Sequence, residues 1–287
     1  MGKGSDSSPA LSFLYRTVAG RFLLKGLTAP ALSRLAGRYL DSPLSRIHIP
    51  GFVRRNRIDL TGCEKQVFSS FNDFFTRTLR PDQRPVDMDP TALISPCDGR
   101  LSVYQVDPSQ MFRVKGSWYS LPDLLGDGEA ARRYTGGLCL IFRLCVDDYH
   151  RYCYIDWGTK GENHFLPGVL HTVRPIALAN CPVFLQNSRE YTILETEHFG
   201  TVTQVEVGAL LVGRIQNHHG PGPFQKGQEK GLFLFGGSTI LLFLEPDQVN
   251  LLPELQDQGQ EGREVPVRQG QALGYALSAR CKLLQNV

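Results

Sequence analysis

The chain has 287 residues, 41% of them apolar and 21% charged, and a net charge of +3. This composition supports a buried core in one or two domains and excludes a disordered chain. Its longest mostly apolar runs, Leu138 to Val146 and Ile240 to Leu244, fall far short of the roughly 18 to 20 residues that a membrane-spanning helix needs.

Along the chain, Met1 to Ala10 lacks a charged stretch followed by an apolar one, so no secretory signal is expected. Asp6 stands where a myristoylation motif beginning at Gly2 requires Ser or Thr. Leu11, Leu14, Tyr15, Val18 and Phe22 follow helical spacing, and Leu32, Leu35, Ala36, Tyr39 and Leu40 repeat it after Pro30. Two amphipathic helices are predicted, with Arg16, Arg21, Lys25, Arg34 and Arg38 on their polar faces and Arg54, Arg55 and Arg57 beyond. Residues 1–60 carry ten Lys and Arg against three Asp and Glu, whereas the remainder carries 21 against 25. A basic, apolar-striped start suits an anionic lipid surface; the same pattern also fits helices packed on the protein's own core with a solvated basic face.

A third helix is predicted over Val67 to Leu79, followed by a loop at Pro81, Asp82 and Pro85. Beyond it, short apolar stretches separated by Gly and Pro predict strands at 101–106, 138–146, 169–173, 191–194, 202–207, 210–215, 232–235 and 239–244. The polar segment 254–264 reads as a loop, and 265–274 as a further strand and turn. The expected fold is α+β: N-terminal amphipathic helices (residues 1–80), then a mainly antiparallel β sandwich or partly closed barrel (residues 81–287). Seven cysteines without CxxC or metal-ligand spacing predict reduced thiols facing the cytosol and no metal site.

Three turn-like segments carry side chains capable of chemistry. Ser95-Pro96-Cys97-Asp98-Gly99 offers an acid, Asp147-Asp148-Tyr149-His150-Arg151 a base, and Phe235-Gly236-Gly237-Ser238-Thr239 a hydroxyl beside an unshielded Gly237 carbonyl. Each alone reads as an ordinary turn, loop or structural histidine. Together Asp98, His150 and Ser238 have the roles of a triad, which is recognised by role and not by chain order.

In five ordered blocks the chain resembles phosphatidylserine decarboxylases, most closely the bacterial type with a Gly-Gly-Ser-Thr processing site. The blocks are Phe71 to Arg77, Ser95 to Gly99, Asp148 to Arg151, Val205 to Ala209, and Lys226-Gly227 through Gly236-Gly237-Ser238-Thr239. The resemblance implies that Ser238 attacks the Gly237 carbonyl and that His150, oriented by Asp98, takes its proton. The chain would divide into a β chain, 1–237, and an α chain, 238–287, held as a heterodimer, with room for a homo-oligomer. Ser238 would become a pyruvoyl group that forms a Schiff base with phosphatidylserine and serves as the cofactor for its conversion to phosphatidylethanolamine and CO2. The implied setting is peripheral, on a cytosol-facing membrane surface, with no metal and no nucleic-acid partner.

One position departs from the pattern. The family usually reads His-x-x-His, and here the run is His150-Arg151-Tyr152-Cys153. A thiol with its pKa near ~8.5 accepts protons poorly at neutral pH. The resemblance leaves open which of the two positions serves as base in self-cleavage. His164, His171, His218 and His219 are expected in loops or at the surface. Cys153 motivates an alternative, a membrane-associated paralogue that keeps the fold without cutting itself and binds lipid or serves structurally. A lipoyl-like carrier is disfavoured because no lysine stands at an exposed hairpin tip, and nucleic-acid binding because the basic residues lie on apolar-striped helices.

Overall fold

The computed structural model describes residues 9–28, 30–114, 117–209, 214–235, 238–259 and 263–277. Met1 to Ser8, most of the expected strand at 210–215, and Gly236 and Gly237 lie outside them.

The first predicted helix is two helices, Pro9–Arg16 and Val18–Leu27, because Thr17 caps the second: its Oγ1 accepts from the Gly20 N–H at 2.9 Å. Helix Pro30–Asp41 agrees with the second prediction. The 3-10 turn Pro43–His48 and helix Ile49–Asn56, which carries Arg54 and Arg55, were not predicted. The predicted helix over 67–79 is a correction, since only Phe71–Phe75 is helical. Ser70 caps it, and Leu79 bridges to Cys63, drawing the following residues out of the helix. The helical spacing of the phenylalanines reports a shared cluster: Phe68, Phe71, Phe74 and Phe75 pack with Leu40, Phe52 and Phe235.

The centre of the protein is an antiparallel eight-stranded sheet. Its spatial order is Gly222–Phe224, Gly158–Leu166, Arg189–Thr196, Thr201–Val207, Ser238–Leu244, Leu138–Leu144, Gly99–Gln105 and Val265–Val267. Ser238–Leu244 and Thr201–Val207 are buried at every position. Side chains alternate between faces, so Ile240, Leu242 and Leu244 join Leu140 and Phe142 in one core, and Leu241 and Phe243 join Cys139 and Ile141 in another. Short helices and the hairpin Met111–Val114/Ser117–Ser120 cover the second face, with Tyr15 and Leu24 packed there too. Two three-stranded sheets cover the first, one containing Arg151–Cys153 and Glu229–Phe233, the other Ala92–Ile94, Val249–Leu251 and Ala272–Ala276.

The α+β class and mainly antiparallel pairing agree with the sequence; of the two expected arrangements, sandwich or partly closed barrel, a closed barrel is not what forms. Among the described residues the two outermost strands are three residues each and pair on one side only, so the large sheet is open and layered. Residues 169–173 form no strand. Leu170 and Val173 are buried, while the Asn187 side chain satisfies the His171 main chain through both amide atoms at 2.8 Å. The predicted loop 254–264 begins instead as helix Pro253–Gly259.

Candidate active site

Asp98 lies in the turn between Ala92–Ile94 and Gly99–Gln105 and is 5% exposed. Gly99 is required there: at φ +152° a Cβ would stand 2.8 Å from the Arg143 carbonyl oxygen. The Asp98 carboxylate accepts from Arg84 Nε at 2.7 Å and Nη2 at 2.5 Å, and from the Gln269 N–H at 2.9 Å. This two-pronged ion pair is the strong form of the interaction.

His150 follows a tight turn after Leu138–Leu144. Asp148 closes that turn, its Oδ2 accepting from the Cys145 N–H at 2.6 Å. Burial pushes the Asp148 carboxyl up to about 6. His150 is fully buried against Phe75, with ring centroids 4.1 Å apart. Its Nδ1 stands 2.9 Å from the Asp148 carbonyl oxygen. A carbonyl can only accept, so Nδ1 carries the proton and Nε2 the lone pair. Burial drives the imidazole pKa down to about 3, which keeps the ring neutral at ordinary pH. Nε2 has no hydrogen-bond partner among the described residues.

Ser238 opens the central strand, 1% exposed, and its Oγ likewise lacks a partner among the described residues. It pairs in register with Leu144, the residue before the turn that carries His150. By alternation its side chain shares the face of Ile240 and Leu242, the face covered by the sheet containing Arg151–Cys153. The Gly237 carbonyl lies outside the described residues.

Thus the strand register sets Ser238 beside the start of the His150 turn, while Asp98 is engaged by Arg84 and Gln269. The hydrogen bond that orients His150 runs to the Asp148 main chain. Cys153 is the position next to the Asp98 segment: its N–H donates to the Pro96 carbonyl at 2.8 Å and its Sγ to that of Ser95 at 3.9 Å. Burial pushes its thiol up to about 12.

Three contributors were not legible in the sequence: Arg84, Gln269 and the Asp148 carbonyl. Arg84 and Gln269 lie in ordinary loop sequence, and only Asp148 falls inside the motif blocks. The remaining blocks have structural uses. Arg151 bonds the Thr76 carbonyl and Glu229, joining three of them. Glu206 and Lys230, both 0% exposed, pair at 2.7 Å between the sheets, with Asn217 accepting from the same ammonium at 2.8 Å. His164 stacks on Tyr191, and His218 bonds Glu229 at 2.6 Å.

Two cavities flank this region. One, of about 630 Å³, lies beside Asp98, with Arg77, Arg84, Arg100 and Arg268 on its walls. The other, of about 360 Å³, is apolar, running between Leu40, Ile47, Phe52 and Phe71 to Phe235, with His48 and Arg55 on its lining.

Comparison with known proteins places the chain in a family. Residues 71–275 match the family model described as phosphatidylserine decarboxylase. A phosphatidylserine decarboxylase proenzyme 2 of Clostridium acetobutylicum is 41% identical over 265 residues, covering 92% of this chain and 91% of the relative. Proenzymes of the same description from Ruminiclostridium cellulolyticum (42% over 278 residues; 95% and 93% covered) and Clostridium perfringens (40% over 271 residues; 92% and 92%) are similar throughout. With a matching family model over residues 71–275 and relatives about 40% identical along nearly the whole length, the chain belongs to the phosphatidylserine decarboxylase family.

Proposed function

We propose that the chain is a self-processing, pyruvoyl-dependent decarboxylase that converts phosphatidylserine to phosphatidylethanolamine and CO2. The observation that carries this reading is the pair of buried polar atoms without partners among the described residues, Ser238 Oγ and His150 Nε2, on segments that the strand register makes neighbours. Leaving such atoms unsatisfied costs about 1–3 kcal/mol each, a cost that chemistry at this point would explain.

Neutral His150 takes the Ser238 hydroxyl proton, and Oγ bonds to the Gly237 carbonyl carbon. The 237–238 C–N bond breaks, and the proton passes to the freed amine. Loss of the Ser238 Cα proton then breaks its Cβ–Oγ bond, releasing a β chain, 1–237, that ends in a carboxylate. Water replaces the resulting enamine nitrogen, released as ammonia, and leaves a ketone at the head of the α chain, 238–287. The buried hydroxyl and the neutral imidazole fit this origin for the cofactor. Such a ketone next to an amide carbonyl supplies a sink for the electron pair that CO2 leaves behind. His150 would serve again: its Nε2 takes the proton that the substrate's ammonium gives up on joining the ketone and returns it to the substrate's α carbon. Asp98 acts in this scheme by ordering its loop through Arg84 and Gln269, the loop whose Pro96 carbonyl takes the Cys153 N–H.

Cys153 is not the base: a buried thiol with its pKa at about 12 stays protonated. Cys153→Ala is expected to change the rate of self-cleavage by less than roughly threefold, the scale of a surrogate packing change. A time course of intact masses checks this.

Residues 1–80 serve as the membrane-docking region. Leu35, Leu44 and Ile47 are 65%, 73% and 76% exposed, close in sequence to the exposed Arg38, Arg46, Arg54 and Arg55. No helix among the described residues is long and apolar enough to cross a membrane, and the reading is peripheral attachment to a cytosol-facing anionic surface. The apolar cavity ending on Phe235 would take the part of the lipid nearest the head group. Leu44→Asp with Ile47→Asp is expected to weaken co-sedimentation with phosphatidylserine vesicles by about tenfold or more, from the apolar burial lost.

The deciding experiment is intact mass of the purified chain. Two species, 1–237 and a 238–287 fragment bearing pyruvoyl in place of serine, are expected, with CO2 released from phosphatidylserine. A persistent single species without that activity would overturn the reading.

A further inference from the structure

The strand Ser238–Leu244 fixes Ser238 from downstream, because every position is buried and paired within the sheet. The upstream side is held differently. Strand Glu229–Phe233 ends, Leu234 donates to the Arg214 carbonyl, and the next main-chain N–H, that of Phe235, goes to a side chain. Asn72 Oδ1 accepts it at 3.1 Å. The other end of the same amide is also used, Nδ2 donating to Asp41 Oδ1 at 2.8 Å. Asn72 is 3% exposed, so neither amide atom has water as a ready substitute. Around it the Phe235 ring meets Phe71, Phe75 and Phe52 edge-on at 4.9, 5.0 and 5.9 Å. Phe75 in turn lies against His150.

We infer that Asn72 is a positioning residue for self-cleavage: by holding the Phe235 main chain, it fixes the approach of the scissile peptide to Ser238. This inference rests on the proposed self-processing. Attack of a serine on its own preceding carbonyl needs that peptide held in an uncommon orientation, and a segment pinned at one end only would rarely reach it. Phe235 and Ser238 are two fixed points with only residues 236 and 237 between them. The Asp41–Asn72–Phe235 relay anchors the upstream point to the end of helix Pro30–Asp41, so the N-terminal region helps set the geometry of a bond more than 190 residues away in sequence. After the cut, the same bond would hold the new end of the β chain beside the new group.

The test follows cleavage by intact mass in the full chain, with circular dichroism and melting temperature checking the fold. Asn72→Ala and Asn72→Asp are expected to slow cleavage by roughly tenfold, the first by losing both bonds and the second by setting two carboxylates together. The double variant Asp41→Asn with Asn72→Asp exchanges donor and acceptor and keeps the relay, and its rate is expected back within about threefold of the starting chain. A merely structural role predicts no such recovery of rate at equal melting temperature. Folded Asn72→Ala cutting at the starting rate, or a folded double variant as slow as Asn72→Asp, would overturn the inference. Should Asn72→Ala not fold, Asp41→Ala at an exposed position decides: slower cleavage supports the relay, and an unchanged rate overturns it. A starting chain that itself stays whole overturns the processing reading instead, and shows in the control alone.

Discussion

Ser238→Ala is expected to give one uncut chain of 287 residues that releases no CO2 from phosphatidylserine, a loss of roughly 10⁴-fold or more. The nucleophile and the carbon that becomes the ketone belong to the same residue, and without the hydroxyl neither the cut nor the later chemistry can occur. The fold should not suffer. Ser238 Oγ is buried without a partner among the described residues, and its deletion removes one atom and one unsatisfied polar group. Thermal unfolding should therefore find the uncut variant at least as stable as the uncut parent, by about 1 kcal/mol. Lost cleavage accompanied by a large drop in melting temperature would instead make Ser238 a structural residue.

His150→Gln is expected to slow self-cleavage by roughly 10²–10⁴-fold, the usual worth of a general base. Glutamine can still donate to the Asp148 carbonyl but cannot accept the serine proton. The pH dependence is the sharper check. An ordinary histidine near 6.5 would lose its basic form as pH falls through neutrality. Burial holds the His150 pKa at about 3, so the basic form persists and the cleavage rate should stay level between about pH 5 and about pH 8. Stability has the opposite sensitivity. Between about 3 and about 6.5 the unfolded chain binds a proton that the folded chain does not, so lowering pH through that window favours unfolding. His150→Gln should flatten this slope, as read from denaturant titrations at several pH values. A cleavage rate that halves near pH 6.5 would assign the proton transfer elsewhere.

The strands most legible in the sequence were those buried on both faces. Leu138 to Phe142 and Ile240 to Leu244 are continuous apolar runs because successive side chains enter opposite cores. Gly158–Leu166 was not legible, since it alternates between polar exposed positions and a few covered ones and has no apolar run to report it. The predicted helix at 67–79 failed for a related reason: the spacing of Phe68, Phe71, Phe74 and Phe75 records who meets in the aromatic cluster, and that meeting requires only one helical turn. At the candidate site, the sequence points to candidate side chains and not to their partners. Asp98, His150 and Ser238 each sit in a short block, but Arg84 reaches Asp98 from a loop fourteen residues away and Gln269 from one 171 residues away. Asp148 contributes to His150 through its carbonyl oxygen, which any residue possesses, and such a role leaves no trace in side-chain identity.

The placement of Ser238–Leu244 has a consequence for the protein after the proposed cut. That strand lies between Leu138–Leu144 and Thr201–Val207, and residues beyond 238 also supply Val265–Val267 to the far edge and two strands to a smaller sheet. The short fragment is therefore threaded through the longer one and not docked against it. Dilution should leave the two together, because separating them means dismantling the central sheet. Once dismantled, they would have to find each other by diffusion, so a molecule that first folds as one chain becomes one whose recovery from denaturation depends on concentration.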